Sequence, residues 1–247
     1  MKLLTIELET ADPVGTRKFY TQQLDLPIVA ESAESLTVQV GWTQLTFRSV
    51  PGPVAPYHFA INVPSGMLEL CMHWFSLNYM DTQSPGQTIA EFPDWKARSA
   101  YFLDNNGNIL EFIARRDLPY IDANLTVGDL FQCISELGIV TPCVVKTSYQ
   151  LSKHFGVKRF SKSKPMHDFA ALGDDNGLFI VSKENRTWLF TNTPAVVNNY
   201  RVTFESEPGG PLQTLTRCEL SPLVSAASIA CSCPLSSRHS QVVEEMA

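Results

Sequence analysis

Polar and ionisable side chains recur at alternate positions in several strand-like segments of this 247-residue chain. Successive side chains of a strand point to opposite faces, so alternate residues share one face. The apolar set of each segment needs a helix to cover it, which leaves the polar set facing an open cleft. A concave site with a few convergent polar groups is what small-molecule binding requires. The polar sets are Thr5, Glu7 and Glu9; Trp42, Gln44, Thr46 and Arg48; His58 and Asn62; and Glu111.

The segments that position these side chains repeat in a fixed order of one strand, one helix and three strands. In the first copy, residues 1–50, the strand LLTIELET alternates, and Asp12 followed by Pro13 is a typical helix start. Three short runs rich in β-branched and aromatic residues follow. The linker PGPVAP then separates this copy from the second one, residues 57–116, whose Asn106-Gly107 pair predicts a hairpin turn.

A third copy and the first strand of a fourth occupy residues 134–206. Residues 207–247 show no periodicity, and we expect them to be irregular. Internal repetition at a period of about 55–70 residues is the main architectural feature of the sequence. It predicts an α+β fold of repeated βαβββ units with curved mixed sheets. We expect the copies 1–50 and 57–116 to pair into one complete domain with an open cleft.

The motifs of the first two copies resemble the vicinal oxygen chelate superfamily, which includes glyoxalase I, bleomycin- and fosfomycin-resistance proteins and extradiol dioxygenases. Residues 5–12, followed by Phe19-Tyr20 and Leu24, resemble the opening strand, Asp, helix and Phe-Tyr of that family. The run 104–112, DNNGNILEF, resembles its closing hairpin, Asp-Pro-Asp-Gly followed by Glu. The resemblance implies a glyoxalase-like fold and is weaker over residues 134–205.

The resemblance also implies a ligand set, because the sites of this family take ligands from the first and last strands of each paired copy. The matching positions are Thr5, Gln44, His58 and Glu111. His58 and Glu111 suit a divalent iron, zinc, nickel, manganese or cobalt ion, and Gln44 would add a neutral oxygen. Thr5 is a poor ligand, for which Glu7 is a substitute.

With a metal bound, the resemblance implies a lyase, isomerase or dioxygenase that activates vicinal oxygens of a small molecule. Glu111 or Glu7 would serve as general base. Extradiol dioxygenases use two His and one Glu, so Thr5 argues against that subclass. The predicted substrate-binding residues are Thr5, Glu9, Thr46, Arg48, Asn62 and Trp95.

Three other interpretations stay open at this point. The incomplete ligand set favours a metal-free protein that binds or sequesters a small molecule, as bleomycin-resistance proteins do. His58 hydrogen-bonded to Glu111 would be a purely structural pair. The broken fourth copy favours a degenerate scaffold.

The third and fourth copies offer less polar chemistry than the first two. Glu136 stands at the place of Thr5, and Arg201 stands at the place of His58. Since no closing Glu follows, we interpret this half as structural. An unpaired third unit would expose one sheet face, which the first two units, the tail or a second copy in a homodimer would cover.

Composition and charge exclude several classes of protein. A net charge of −6 and a pI of about 5.4 imply no broad basic surface, so we expect no nucleic-acid partner. The longest apolar runs fall short of a membrane span, and Glu7 and Glu9 interrupt any secretory apolar core, so we expect no membrane association and no signal peptide. Six scattered cysteines without a CxxC pair predict reduced thiols in the cytoplasm.

Overall fold

The computed structural model describes residues 1–118, 130–164 and 166–217, which form two mixed β-sheets and three α-helices. The helices are α1 (Pro13–Lys18), continued by a π-helical turn at Phe19–Gln23, α2 (Leu68–Phe75) and α3 (Val144–Phe155). The strands are β1 (Lys2–Thr10), β2 (Ile28–Glu31), β3 (Ser35–Val40), β4 (Thr43–Ser49), β5 (His58–Val63), β6 (Ala90–Phe92), β7 (Ala97–Leu103), β8 (Ile109–Arg115), β9 (Cys133–Thr141), β10 (Phe169–Asp174), β11 (Gly177–Lys183), β12 (Arg201–Glu205) and β13 (Leu212–Thr216). No helix among these described residues is long and apolar enough to cross a membrane.

Each sheet combines two of the sequence copies. The six-stranded sheet has the order β13-β12-β1-β4-β3-β2, and the seven-stranded sheet has the order β10-β11-β9-β5-β8-β7-β6. The first copy therefore pairs with the start of the fourth through β1 and β12, and the second copy pairs with the third through β5 and β9. Both of these central pairings are antiparallel.

The structure places residues 1–50 and 57–116, which we expected to pair into one domain with an open cleft, in different sheets. Hydrophobic alternation shows which face of a strand is buried, but it does not show which strand lies along its free edge. The first strands of all four copies offer such an edge, and the third and fourth copies supply the partners. The third copy thus supplies three of the seven strands of this sheet, β9, β10 and β11.

A second difference concerns the region expected to be irregular. Leu212–Thr216 forms β13, which pairs antiparallel with β12, and its Leu215 is fully buried. Residues 218–247, the rest of that region, lie outside the described residues.

The two central strand pairs carry the same irregularity at equivalent positions. Thr5 pairs with Thr203 and Leu3 with Phe204, so Leu4 is an extra residue that makes a β-bulge. Glu136 pairs with Ala60 and Ile134 with Ile61, so Ser135 is the corresponding extra residue. A bulge bends its strand and redirects the side chain beside it.

Side-chain hydrogen bonds confirm this equivalence of β1 and β9. The hydroxyl groups of Thr10 and Thr16 are 2.8 Å apart, and those of Thr141 and Thr147 are also 2.8 Å apart. Each bond joins the end of a first strand to the helix that follows it. Thr5 and Glu136, each five residues before the strand threonine, are therefore equivalent positions in two copies.

The two sheets differ in how their second faces are covered. In β1 the side chains alternate between buried and exposed, as the sequence predicts for a strand with one open polar face. Every residue of β5 and β8 is buried. The second face of the seven-stranded sheet is covered by the apolar side chains Phe92, Trp95, Phe160, Trp188 and Phe190, which we call the aromatic cover.

Contacts between α1 and the hairpin that joins β7 to β8 tie the two sheets together. The hydroxyl of Tyr20 donates to Asp104 at 2.6 Å, and Asn106 donates to Thr16 at 2.9 Å. Asp104 also accepts from the side chain of Asn108 at 2.8 Å. Burial raises the pKa of Asp104, so these donors matter for keeping its carboxylate ionised.

The substitution Tyr20→Phe tests this contact. Removing the hydroxyl leaves the buried carboxylate of Asp104 with one donor fewer, so we expect a loss of about 1–3 kcal/mol in the free energy of unfolding. Denaturant titration measures it, and Tyr149→Phe, at an exposed tyrosine of α3, is the matched control. Equal stability of Tyr20→Phe and the wild type would contradict a supporting role for this bond.

Candidate metal centre

Three ionisable side chains from adjacent strands meet on the covered face of the seven-stranded sheet. His58 comes from β5, Glu111 from β8 and Glu136 from β9. β5 lies between the other two strands, and its Ala60 is paired with both glutamates. One potential ligand atom from each residue lies within 4.8 Å of the other two. The side chains of all three are at least nine-tenths buried.

The ring of His58 is oriented by the backbone. Its Nδ1 lies 3.0 Å from the carbonyl oxygen of Ile109, which can only accept a hydrogen bond, so Nδ1 carries a proton. In the neutral imidazole, Nε2 then has the free lone pair. Nε2 lies 4.0 Å from Oε2 of Glu111 and 3.9 Å from Oε2 of Glu136, distances too long for hydrogen bonds.

Close packing holds the other side of this ring. The rings of His58 and Trp188 have centroids 5.1 Å apart. Trp188 approaches this closely because residue 138 is glycine, where a Cβ atom would lie 2.9 Å from Cη2 of Trp188. The remaining cavity beside His58 has a volume of about 10 Å³, which is room for at most one water molecule.

The buried charges alter one another's ionisation. Burial raises the pKa of Glu111 to about 7, and the nearby charge of Glu136 adds to this effect. Burial alone would lower the pKa of His58, but the facing carboxylates of Glu136 and Glu111 raise it above its ordinary value. Burial, and then the charges of both glutamates, raise the pKa of the Tyr101 phenol, which therefore stays protonated.

Arg115 provides a permanent positive charge next to the cluster. Its side chain is fully buried, and its Nη2 donates to Oε1 of Glu136 in a short contact. Its Nε donates to Oδ1 of Asn62 at 3.3 Å, and its Nη1 lies 3.5 Å from Oδ1 of Asp175. Glu136 thus has one oxygen on Arg115 and the other facing His58.

The chemistry of this donor set fits a divalent cation. One imidazole nitrogen and two carboxylate oxygens are ligands of zinc, manganese, iron, cobalt and nickel. The second nitrogen of a metal-bound histidine usually donates to a carbonyl or carboxylate, as Nδ1 of His58 does. Two buried carboxylates that face each other without a shared cation are costly, and Arg115 contacts only one of them.

The structure separates the ten site residues predicted from the sequence into two groups. The seven-stranded sheet carries His58, Asn62 and Glu111, with Trp95 in its aromatic cover. The other six lie on the six-stranded sheet and do not join this cluster: Thr5, Glu7, Glu9, Gln44, Thr46 and Arg48. Asn62 contacts Arg115, and Trp95 packs edge-on against Phe160 with ring centroids 4.9 Å apart.

Sequence reasoning missed three residues of the cluster's surroundings, and it assigned Glu136 no site role. Glu136 was already recognised as the equivalent of Thr5, and pairing of the second copy with the third would have brought it to His58. Arg115 had a weaker signal, since it follows Glu111 by four residues and so shares its strand face. Trp188 and Tyr101 carried no pattern that distinguishes them from core aromatic residues.

Three of the six residues on the other sheet, Glu7, Glu9 and Arg48, line a separate polar cleft of about 230 Å³. Its walls include Glu7, Glu9, Arg48 and Arg201. Arg48 lies 3.6 Å from Glu7, whereas Arg201 makes no ion pair with a described residue. The side chain of Asn199 holds Glu9 through contacts of 3.2 Å to both carboxylate oxygens.

Comparisons with known proteins give structural matches alone. No family profile and no curated protein matches the chain. A putative dioxygenase from Bacillus subtilis is similar, with a TM-score of 0.54 and 18% identity over 74% of this chain and 63% of that one. A glyoxalase I variant from Zea mays has a TM-score of 0.49 and 13% identity, over 90% of this chain and 95% of that one. A lactoylglutathione lyase from Agrobacterium tumefaciens has a TM-score of 0.37 and 15% identity, over 45% of this chain and 91% of that one.

The match to the Bacillus protein confirms the predicted fold class. The chain has a glyoxalase-like α+β fold, with paired βαβββ units and curved mixed sheets. It spans somewhat less than two thirds of that protein's length, 63%. At this level of identity the match shows the fold and no particular activity.

The ionisation of Glu111 predicts how stability depends on pH in the metal-free protein. Its pKa is about 7 when folded and 4.5 in its reference state. Because the folded state binds the Glu111 proton more tightly than the unfolded state, this group contributes its full stabilisation of the fold below about pH 4.5. That contribution is lost as the pH rises through 7. We expect wild type to lose about 3 kcal/mol relative to Glu111→Gln between pH 5 and pH 8.

Denaturant titrations in the presence of a chelator, repeated across this range, measure the difference. Glu34→Gln, at an exposed glutamate, should follow the wild type at every pH. A constant difference between wild type and Glu111→Gln from pH 5 to pH 8 would mean that Glu111 ionises normally.

Proposed function

We propose that this chain is a metal-dependent enzyme of the vicinal oxygen chelate superfamily that acts on a small molecule with adjacent oxygen atoms. We further propose that His58, Glu111 and Glu136 hold the metal. The observation that carries the proposal is the convergence of these three buried side chains from adjacent strands. Glu136 takes the role that the sequence resemblance gave to Gln44, which lies on the other sheet.

A bound divalent ion would polarise two adjacent oxygens of a substrate as a Lewis acid. The donor set of one imidazole and two carboxylates is harder than the two imidazoles and one carboxylate of iron oxygenases. This favours a lyase or isomerase over a dioxygenase. In the metal-free protein the pKa of Glu111 is raised to about 7 by burial, and a bound cation would favour the ionised carboxylate as a ligand.

The aromatic cover determines how a substrate would reach this centre. A cavity of about 10 Å³ beside His58 cannot hold an organic molecule. Trp188 belongs to the segment between β11 and β12, where Trp188 donates its backbone N–H to Thr193 and Ala195 donates to Arg186. A substrate would reach His58 only if Trp188 moved away from it.

Metal content tests the proposed centre directly. After reconstitution with manganese, iron, zinc, cobalt or nickel and dialysis, we expect near-stoichiometric metal by elemental analysis. His58→Ala, Glu111→Gln and Glu136→Gln should each lower metal affinity more than about 100-fold, since each removes a ligand. Gln44→Ala should bind metal as the wild type does, which separates this ligand set from the one that the resemblance implies.

His73→Ala and Glu34→Gln, at exposed positions, are the matched controls. Wild-type protein that retains none of these metals would contradict the proposal. Loss of metal in Gln44→Ala would instead support the ligand set taken from the sequence resemblance.

A second candidate function is metal-free binding of a small polar molecule in the cleft of the six-stranded sheet. The observation that favours it is a cleft of about 230 Å³ in which Glu7 and Glu9 of β1 lie between Arg48 of β4 and Arg201 of β12. Side chains of both charges in one cleft suit a ligand with one anionic and one cationic end. Thr5, Thr46 and Gln44 lie on the same two strands as Glu7 and Arg48 but do not line this cleft.

Three probes of equal length test this second candidate by thermal shift: succinate, putrescine and 4-aminobutyrate. We expect 4-aminobutyrate to raise Tm most, and Arg201→Ala and Glu9→Gln each to abolish the increase. Arg17→Ala, at an exposed arginine paired with Glu31 outside the cleft, should leave the increase unchanged. A Tm that responds to none of the probes, or equally to all of them, would contradict this candidate.

A further inference from the structure

Arg115 is the one fully buried arginine among the described residues, and three polar partners fix its guanidinium group. Those partners are Glu136 at Nη2, Asn62 at Nε and Asp175 near Nη1. Asp175 is itself fixed, since Lys162 donates to its two oxygens at 2.7 and 2.9 Å. Asn62 also donates to the backbone oxygen of Asp175 at 3.0 Å, which closes the network.

This network joins the two halves of the seven-stranded sheet. Asn62 and Arg115 belong to the second sequence copy, whereas Glu136, Lys162 and Asp175 belong to the third. A planar guanidinium held at several nitrogens has little rotational freedom, so its contact with Glu136 has a defined direction. The Glu136 carboxylate is consequently fixed in rotation, with Oε1 on Arg115 and Oε2 toward His58.

We propose that Arg115 is a positioning residue that presents Glu136 to the metal through a single oxygen. The proposal rests on the metal-binding function proposed above. The bond from Nη2 occupies Oε1, so Oε2 remains for the cation. Arg115 also places a permanent positive charge beside the Glu136 carboxylate.

Lysine at position 115 would keep the charge but lose the fork that contacts Glu136 and Asn62 together. A merely structural role for Arg115 would change stability alone. A positioning role would also change the affinity for the metal and the geometry around it. The visible absorption of Co²⁺ reports that geometry, and titration with Co²⁺ alone gives the affinity, so neither measurement requires a substrate.

The experiment compares Co²⁺ binding by the wild type, Arg115→Lys and Arg98→Lys. Arg98 is the matched control, because it lies on β7 and forms ion pairs with Glu69 and Glu91 away from the cluster. We expect Arg115→Lys to lower Co²⁺ affinity about 10–100-fold and to alter the absorption spectrum, the size of effect seen for partners of metal ligands. Arg98→Lys should match the wild type in both.

Asn62→Ala keeps the argument testable if Arg115→Lys does not fold. It removes the partner of Nε and leaves Arg115 in place, so we expect a smaller loss of affinity and a spectral change in the same direction. Unchanged affinity and an unchanged spectrum in Asn62→Ala, in that case, would overturn the proposal.

The remaining outcomes separate this proposal from the proposed function. If the wild type binds Co²⁺, His58→Ala does not, and Arg115→Lys equals the wild type, the metal centre stands and the role of Arg115 is overturned. If the wild type binds no Co²⁺, both are overturned. If Arg115→Met binds Co²⁺ and the wild type does not, the guanidinium takes the place of the cation, which also overturns both.

Discussion

Two carboxylates buried beside one imidazole are the constraint on which the surrounding structure depends. Burial of an unpaired carboxylate is costly, so each must find a positive partner or keep its proton. Arg115 neutralises Glu136, its Nε donates to Asn62, and its Nη1 lies 3.5 Å from Asp175. Glu111 forms no ion pair with a lysine or arginine among the described residues, and burial, with the charge of Glu136, raises its pKa. A divalent cation bound between the two carboxylates and His58 would remove this conflict.

The pairing of β5 with β9 creates the cluster. It places Glu136 directly across from Ala60, next to the position of His58 on the same face. The bulge at Ser135 lies immediately before Glu136, where it redirects that side chain. A shift of one residue in this pairing would turn Glu136 to the opposite face. The ligand set therefore depends on the register between two sequence copies, and no single copy contains it.

The six-stranded sheet shows what the same backbone frame does with other side chains. Its β1 has the same bulge, but Thr5 stands where β9 has Glu136, and Arg201 stands where β5 has His58. Threonine is a poor ligand for a divalent cation and arginine has no lone pair to offer it, and this sheet presents an open polar cleft instead. The same backbone arrangement thus carries a buried cluster on one sheet and an open cleft on the other, because the side chains and not the fold determine the chemistry.

The sequence predicted the elements and the fold class well, because the signals for them are local. Alternation in β1, the Asp12 cap, which accepts from the Gly15 N–H at 2.9 Å, and the turn at Asn106-Gly107 all act within a few residues. The pairing of copies is not local. The partner of each free edge depends on burial across the whole chain, so Gln44 was placed beside His58 and Glu136 was not. The half of the site that could be predicted, His58 and Glu111, lies within one copy. The half that could not, Glu136 with Arg115, exists only where two copies join.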